Sequence, residues 1–488
     1  MTVPENSMRK YKPSAPLFGS GRFYLDALAL VVPVMLQSLV TSLVSLVDNF
    51  MVAGLGDEKM AAVNVANQLN FVFFVLVNVS CMAGGIYLSQ HRGAKNEEGM
   101  RQAFRFKLLA STAISAAYIA ACLAIPEELL GLMLSGNAAS AEISREGAAY
   151  LRIVSLSFVP IAISSATGSA YREIGQAKAP LLFSSTAALV NTFFNWVLIY
   201  GSLGAPRLEI AGAAIATDIA RAVELAAFLA WTKWKRPAFA FRPSRLFALD
   251  RRLFAEILRK SGMIFFSETA WVVSETIIAA LYNGRGGPET VAGMAAGWTI
   301  ANLFFLIFGA IHTATAVIVG STLGAGRLDE ARAKARWISS GAVALGAMGG
   351  LLAAVSTALV PIVFGNLSLE ARVLTRGLVF LIGAYLPLWA LLNAQFAISR
   401  SGGDTAMGFF VDVGGTYALF VPAAFALAAW TSVGPVALFG IAKISDIGKA
   451  AIARWWLGKE RWVRNLAAPS GPDSGATDPG GATDPGGA

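Results

Sequence analysis

Runs of roughly twenty apolar residues recur along this chain, and each is long enough to cross a bilayer whose hydrocarbon core is about 30 Å thick. ALALVVPVMLQSLVTSLVSLV, at 27–47, is the first of them. Hydrocarbon offers no partner to a bare peptide group, so such a run has to be helical where it crosses. Composition agrees. Of 488 residues, 56% are hydrophobic and 14% charged, against about 25% charged in soluble proteins. An all-α polytopic membrane protein is expected.

Twelve spans are expected, in two sets of six. The first lies near 27–53, 60–88, 107–124, 148–170, 180–200 and 210–232, the second near 260–283, 290–322, 337–364, 374–397, 408–430 and 433–456. The connection TKWKRPAFAFRPSRLFALDRRLFAEILRKS carries nine Lys/Arg against Asp250 and Glu256. HRGAKNEEGMRQAFRFK, GRLDEARAKAR and ARWWLGKERWVR are basic too, whereas the alternate loops GDEK, PEELLGLMLSGNAASAE and NGRGGPE are neutral or acidic. Basic loops stay in the cytoplasm, so a multi-pass protein of the plasma (inner) membrane with both termini cytoplasmic is expected. The net charge of +9 is then an orientation signal, and nucleic acid is not an expected partner.

The start, MTVPENSMRKYKPSAPLFGSGR, lacks a cleavage-site pattern, so the first helix is expected to stay as a span. The end, PSGPDSGATDPGGATDPGGA, is low-complexity and expected to be disordered. The expected division is a cytoplasmic tail at 1–24, an N-lobe at 25–232, a basic linker at 233–257, a C-lobe at 258–457 and a cytoplasmic tail at 458–488. Cys81 and Cys122 sit in apolar runs and give neither a disulfide framework nor metal spacing.

The two sets are copies. Adding 231 takes Gly56 to Gly287, Glu58 to Glu289, Phe73 and Phe74 to Phe304 and Phe305, and Gly93 to Gly324. Adding 228 takes Arg172 to Arg400, Gly175 to Gly403, Gly212 to Gly440 and Asp218 to Asp446. Six spans per copy return each copy to its starting side, so the repeats are parallel, related by a pseudo-twofold axis along the membrane normal. Secondary transporters use that plan, with a substrate site between lobes that rock.

Charged residues inside the spans carry the functional signal, because a carboxylate at a helix centre costs roughly 2.5–3.5 kcal/mol on insertion scales. Asp48 lies eight residues before Gly56, roughly 12 Å along the helix from its end. It is expected to be a coupling-ion site, protonated in turn or binding Na⁺. Glu268 and Glu275 share one stripe of span 7. Asp218-Ile-Ala-Arg221 repeats as Asp446-Ile-Gly-Lys449, so a paired clip is expected in each lobe. Asp404 and Asp412 are expected in turn and helix-end roles. His312 has no partner visible in the sequence. Phe71, Phe73, Phe74, Trp298, Phe304, Phe305 and Trp389 are candidate cavity aromatics.

The ordered motifs VPVMLQ…LVDNFMVAGLGDEKMAAVNVANQL, YREIGQAKAPL…VNTFFNWVLIYG, SETAWVVSE, YNGRGGPETVAGM, VGSTLGAGRLDEA and SRSGGDTAMGFFVDVGG resemble the MATE (multidrug and toxic compound extrusion) family over about residues 25 to 457. The resemblance implies two lobes around a V-shaped cavity. It also implies antiport of H⁺ or Na⁺ against small amphipathic, often cationic, organic compounds, with no cofactor.

On that resemblance Asp48 matches the family's helix-1 aspartate, and Pro33 a proline where helix 1 bends in some members. Asn191 and Asn195 stand one turn apart on one face of helix 5; some members carry an aspartate at the position of Asn195, and Thr217 matches another polar site position. Glu268 matches the helix-7 glutamate, and Asn393 stands near a helix-10 aspartate of other members. Na⁺ is a candidate ligand at Asp48 or Glu268. The repeat mates are Gln37 for Glu268 and Ala279 for Asp48, so each lobe lacks the acid the other keeps. A monomer surrounded by lipid is expected. The alternative is a flippase for lipid-linked saccharides, whose relatives carry basic residues in the cavity, whereas the unpaired intramembrane charges here are expected to be acidic. An enzyme is not expected, since the chain has no HExxH, Walker A or Ser/His/Asp arrangement.

Overall fold

A computed structural model describes residues 16–134 and 140–468. Residues 1–15 of the N-terminal tail, and the low-complexity tail from residue 469, lie outside the described residues. Every regular element among the described residues is helical.

Twelve helices carry the fold. The first lobe holds α1 (Gly21–Ala53), α2 (Asp57–Gly93), α3 (Glu97–Ala124), α4 (Ala141–Glu173), α5 (Lys178–Tyr200) and α6 (Glu209–Lys235). The second holds α7 (Arg251–Asn283), α8 (Pro288–Gly324), α9 (Leu328–Val363), α10 (Leu369–Ser401), α11 (Gly408–Trp430) and α12, which runs as Pro435–Lys443 and continues as Ser445–Gly458. Ten of these are long and apolar enough to cross a membrane. The other two differ for reasons the sequence contains: α6 carries Asp218, Arg221 and Glu224 along its middle, and α12 is broken at Ile444.

Capping side chains set several helix starts. Ser20 Oγ accepts from Phe23 N, Asn96 Oδ1 from Gly99 N, Asp250 Oδ1 from Arg252 N and Leu253 N, and Ser368 Oγ from Ala371 N. Each satisfies a backbone N–H that the first helical turn leaves without an intrahelical partner. Separate apolar cores fill the lobes, one around Phe73, Tyr87, Phe106 and Phe158, the other around Ile278, Ile307, Leu378 and Phe439.

Lys107 on α3 is fully buried and pairs with Glu173 at the end of α4, with Ser169 Oγ accepting a further bond at 3.1 Å. A buried pair that loses one partner leaves an uncompensated charge, at a cost of about 3–5 kcal/mol. Lys107→Met is therefore expected to lower the thermal unfolding midpoint in detergent markedly, and adding Glu173→Leu to recover much of the loss. A double variant no more stable than the single would refute this.

The lobes meet at the end of the bundle that carries the basic loops. A Cβ at Gly93 would overlap the Ser321 carbonyl oxygen, and one at Gly324 would overlap that of Gln90. The repeat-related glycines thus let α2 and α8 cross backbone to backbone. Gln90 Nε2 donates to Ser401 O at 2.7 Å, and Tyr87 OH donates to Glu256 Oε1 at 2.6 Å. Pro33, buried inside the continuous α1, neighbours Val31 and Val34, which pack on Ala310 and Ala314 of α8. Inter-lobe hydrogen bonds between described residues all lie at this basic end.

Two segments outside the twelve helices pack against the lobes. Residues 458–467, expected to belong to the C-terminal tail, fold back over the basic end. Trp462 is buried, Leu466 N donates to Gln90 Oε1 at 2.7 Å, and Asn465 Nδ2 donates to Gly324 O. The apolar Trp462, Val463 and Leu466 give this stretch something to bury. The basic linker also packs, with Phe239 fully buried and Arg105 donating to Ala248 O at 2.9 Å.

Candidate ion and cargo cleft

Away from the basic end the lobes part around a cleft with two halves, of about 560 and 870 Å³. Gln37, Thr41, Asn78, Cys81, Arg172, Glu268 and Trp271 border both.

In the first-lobe half, Asp48 is half-buried on α1. Asn195 Nδ2 donates to its Oδ1 at 2.6 Å. With the Asn191 amide turned to satisfy its neighbours, its nitrogen donates to both Asp48 oxygens at 2.9 Å. The amide of Asn191 also reaches Thr217 Oγ1 at 3.4 Å. The one-turn spacing of the two asparagines on α5 is what aims both at α1. Asn195 Oδ1 is buried without a partner. Among the described residues no Lys, Arg or His pairs with Asp48. An amide can present nitrogen or oxygen. Nitrogen steadies an ionised carboxylate, while rotated oxygens, with Thr217 Oγ1, would add ligands for a small cation.

A hydrogen-bonded chain runs deeper along the same lobe. Arg172 Nη1 donates to Gln37 Oε1 at 3.3 Å, Gln37 Nε2 to Ser184 Oγ at 2.9 Å, and Ser184 Oγ to Glu224 Oε1 at 2.7 Å. Arg221 closes the chain with a 2.9 Å ion pair to Glu224. The expected clip between Asp218 and Arg221 is therefore not formed. Arg221 turns to Glu224, three residues the other way, and Asp218 Oδ1 is left buried without a partner.

The second-lobe half is built from ion pairs. Glu268 pairs with Arg400 at 3.1 Å and Glu275 with Lys443, although Glu275 Oε2 is left without a partner. Lys449 pairs with Asp446 and Asp412, each at 3.3 Å, so the expected clip is present in this lobe. Trp389 Nε1 donates to Asp446 Oδ2 at 2.9 Å. Asp412 is thus a cleft residue rather than a helix-end one, because α11 winds in wide π turns over Gly408–Gly414 and faces Lys449. His312 does have a partner, Asn393, at 3.1 Å. Glu268 and Glu275 both have cationic partners, whereas Asp48 has none among the described residues. In this arrangement the carboxylate of Glu268 faces Arg400, with which a cation bound there would compete.

Of the candidate aromatics, Phe71, Phe74, Trp298, Phe305 and Trp389 line the cleft, while Phe73 is wholly in the core. Both cysteines are free and buried, and Cys81 borders the cleft. Ser184, Glu224 and the Lys107–Glu173 pair are functional-site neighbours outside the expected site residues. The one available signal was polar residues recurring in apolar runs.

The family model described as MatE matches residues 33–197 and 264–426, one stretch in each lobe. A probable multidrug resistance protein NorM of Halalkalibacterium halodurans is 25% identical over 449 residues, 91% of this chain and 95% of its own. Multidrug resistance protein PmpM of Pseudomonas aeruginosa is 26% identical over 314 residues, 63% of this chain and 64% of its own. A crystal structure of MATE in complex with MaD3S aligns with a TM-score of 0.80 at 19% identity, over 91% of this chain and 97% of that one.

Proposed function

The chain belongs to the MATE family of membrane transporters, and from that premise we propose that it is a multidrug exporter that exchanges small amphipathic organic cations for H⁺ or Na⁺. Its relatives' names supply the multidrug reading. The observation that carries the ion coupling is Asp48, the cleft carboxylate whose partners are two amides instead of a cation. Such a carboxylate can take up a proton, or hold Na⁺ with Asn191, Asn195 and Thr217 oxygens, without first breaking an ion pair.

Residues 25–232 and 258–457 move as the two lobes, joined by the linker 233–257, in a monomer. The basic end is cytoplasmic by the distribution of Lys and Arg, so the arrangement described, closed at that end, opens outward. An ion arriving from outside occupies Asp48 and displaces cargo. The lobes then rock, and the ion leaves to the cytoplasm. Exchange of one singly charged cation for one H⁺ or Na⁺ moves no net charge, so the ion's concentration gradient drives it, and a tenfold ion gradient sustains a roughly tenfold cargo gradient.

The flippase alternative needs free cations for a pyrophosphate. Of the cleft's basic residues, Arg221, Arg400, Lys443 and Lys449 already face carboxylates and Arg172 alone forms no ion pair among the described residues, which favours the exporter. Proteoliposomes loaded with pH and Na⁺ gradients separately test the reading. One of the two is expected to drive accumulation of a fluorescent organic cation, and accumulation under neither would sink it.

A further inference from the structure

The repeat brings two arginines to the middle of the cleft, and they are not equivalent. Arg400 donates to a carboxylate, Glu268, at 3.1 Å. Its mate Arg172 donates at 3.3 Å to the mate of that glutamate, which is the neutral Gln37. Gln37 is held in that orientation, because its nitrogen is committed to Ser184. The acids beside this hydrogen-bonded chain pair elsewhere: Glu173 with Lys107 and Glu224 with Arg221. Arg172 borders both halves of the cleft and forms no ion pair among the described residues.

Two charged residues of the cleft therefore form no ion pair among the described residues, Asp48 and Arg172. Gln37 and Asp48 are eleven residues apart on α1, about 16 Å along the axis. Phe71, Phe74 and Trp271 border the space between. A guanidinium in a site sheltered from water binds a carboxylate by charge-assisted, often bidentate hydrogen bonds.

We propose that Arg172, freed of a counter-charge by Gln37, recognises an anionic group on the cargo, so that the preferred substrates are elongate amphipathic zwitterions carrying a carboxylate as well as a cation. This rests on the exporter reading and names its substrate class. The cation competes with the coupling ion at Asp48, and the carboxylate docks on Arg172. The exchange of Gln37 for Glu268 between the lobes is the specificity determinant, since a glutamate at 37 would neutralise Arg172 as Glu268 neutralises Arg400.

The test uses the full chain in proteoliposomes with rhodamine B, which carries a free carboxylate on a cationic dye, and its ethyl ester, which keeps the cation alone. The ratio of the two KM values is measured on one preparation, so partial loss of folded protein cancels. The wild type is expected to favour rhodamine B by about ten-fold, as a charge-assisted bond allows. Arg172→Gln and Gln37→Glu, opposite changes in chemistry, are both expected to bring the ratio near unity, and Arg172→Lys to retain part of the preference. A wild-type ratio near one, or a ratio unmoved in Arg172→Gln, overturns the proposal while leaving the exporter standing. Transport of neither dye under either gradient overturns both.

Discussion

Asp48→Asn is expected to abolish uphill transport. With the wild type, a tenfold H⁺ or Na⁺ gradient sustains a roughly tenfold accumulation of a singly charged cargo exchanged one for one. The variant is expected to fall to a ratio near one, because a carboxamide neither takes up a proton at neutral pH nor supplies charge to Na⁺. The fold should survive. Asp48 meets amides instead of a cation, and an asparagine can hydrogen-bond with either asparagine of α5, so no buried charge is stranded. Exchange of labelled for unlabelled cargo, which needs no coupling, should persist and separates this outcome from misfolding. Asp48→Glu keeps the charge and is expected to retain part of the coupling. Undiminished accumulation by Asp48→Asn would remove Asp48 from the coupling role.

Gly324→Val is expected to hold the transporter open at its basic end. A Cβ there has nowhere to go in the arrangement described, since it overlaps the Gln90 carbonyl oxygen, and a backbone atom cannot swing away as a side chain can. Overpacking costs about 1–3 kcal/mol. Placed on one of two states alone, that shifts their balance by roughly 5- to 150-fold. Gly93→Val, against Ser321 in the reciprocal contact, is expected to act alike. The shift is read from thiol labelling of Thr41→Cys, an exposed position bordering both halves of the cleft, in a background without Cys81 and Cys122. An impermeant maleimide should reach it mainly from the far side in the parent and from the basic side in Gly324→Val, with transport falling accordingly. Equal labelling patterns in the two would show that the glycines do not set the closure.

The helical, two-lobed plan could be read before any coordinates, because a membrane makes secondary structure nearly obligatory. An apolar run of twenty residues has one stable form there. Duplication was equally plain, because Gly93 and Gly324, or Arg172 and Arg400, keep a fixed interval. Asp48 stood out for its cost, and its distance from the helix end needed only the helical rise. Asn191 and Asn195 were placed on one face by their four-residue spacing, and that face does meet Asp48.

Partner choice was not legible. Asp218 and Arg221 have the same spacing as Asp446 and Lys449, yet only the second pair forms, because Glu224 offers Arg221 a competing carboxylate on the same helix. Arg400 and Glu268 are 132 residues apart, and His312 and Asn393 are 81 apart. No local pattern relates such residues. The order of the segment through Ala467 likewise depends on Gln90 and Gly324, which lie far away in the chain.

The sequence by itself determined that this chain crosses a membrane many times, twice over in parallel, and that a few charges within those spans need a reason to be there. Periodicity, length and the cost of burying charge are local quantities, and a chain carries them wherever it folds. Only the tertiary structure decided which charges neutralise one another and which remain free to act on an ion or a cargo. An ion pair is a relation between helices, fixed by how two surfaces pack. Packing left Asp48 with amides and Arg172 with a glutamine.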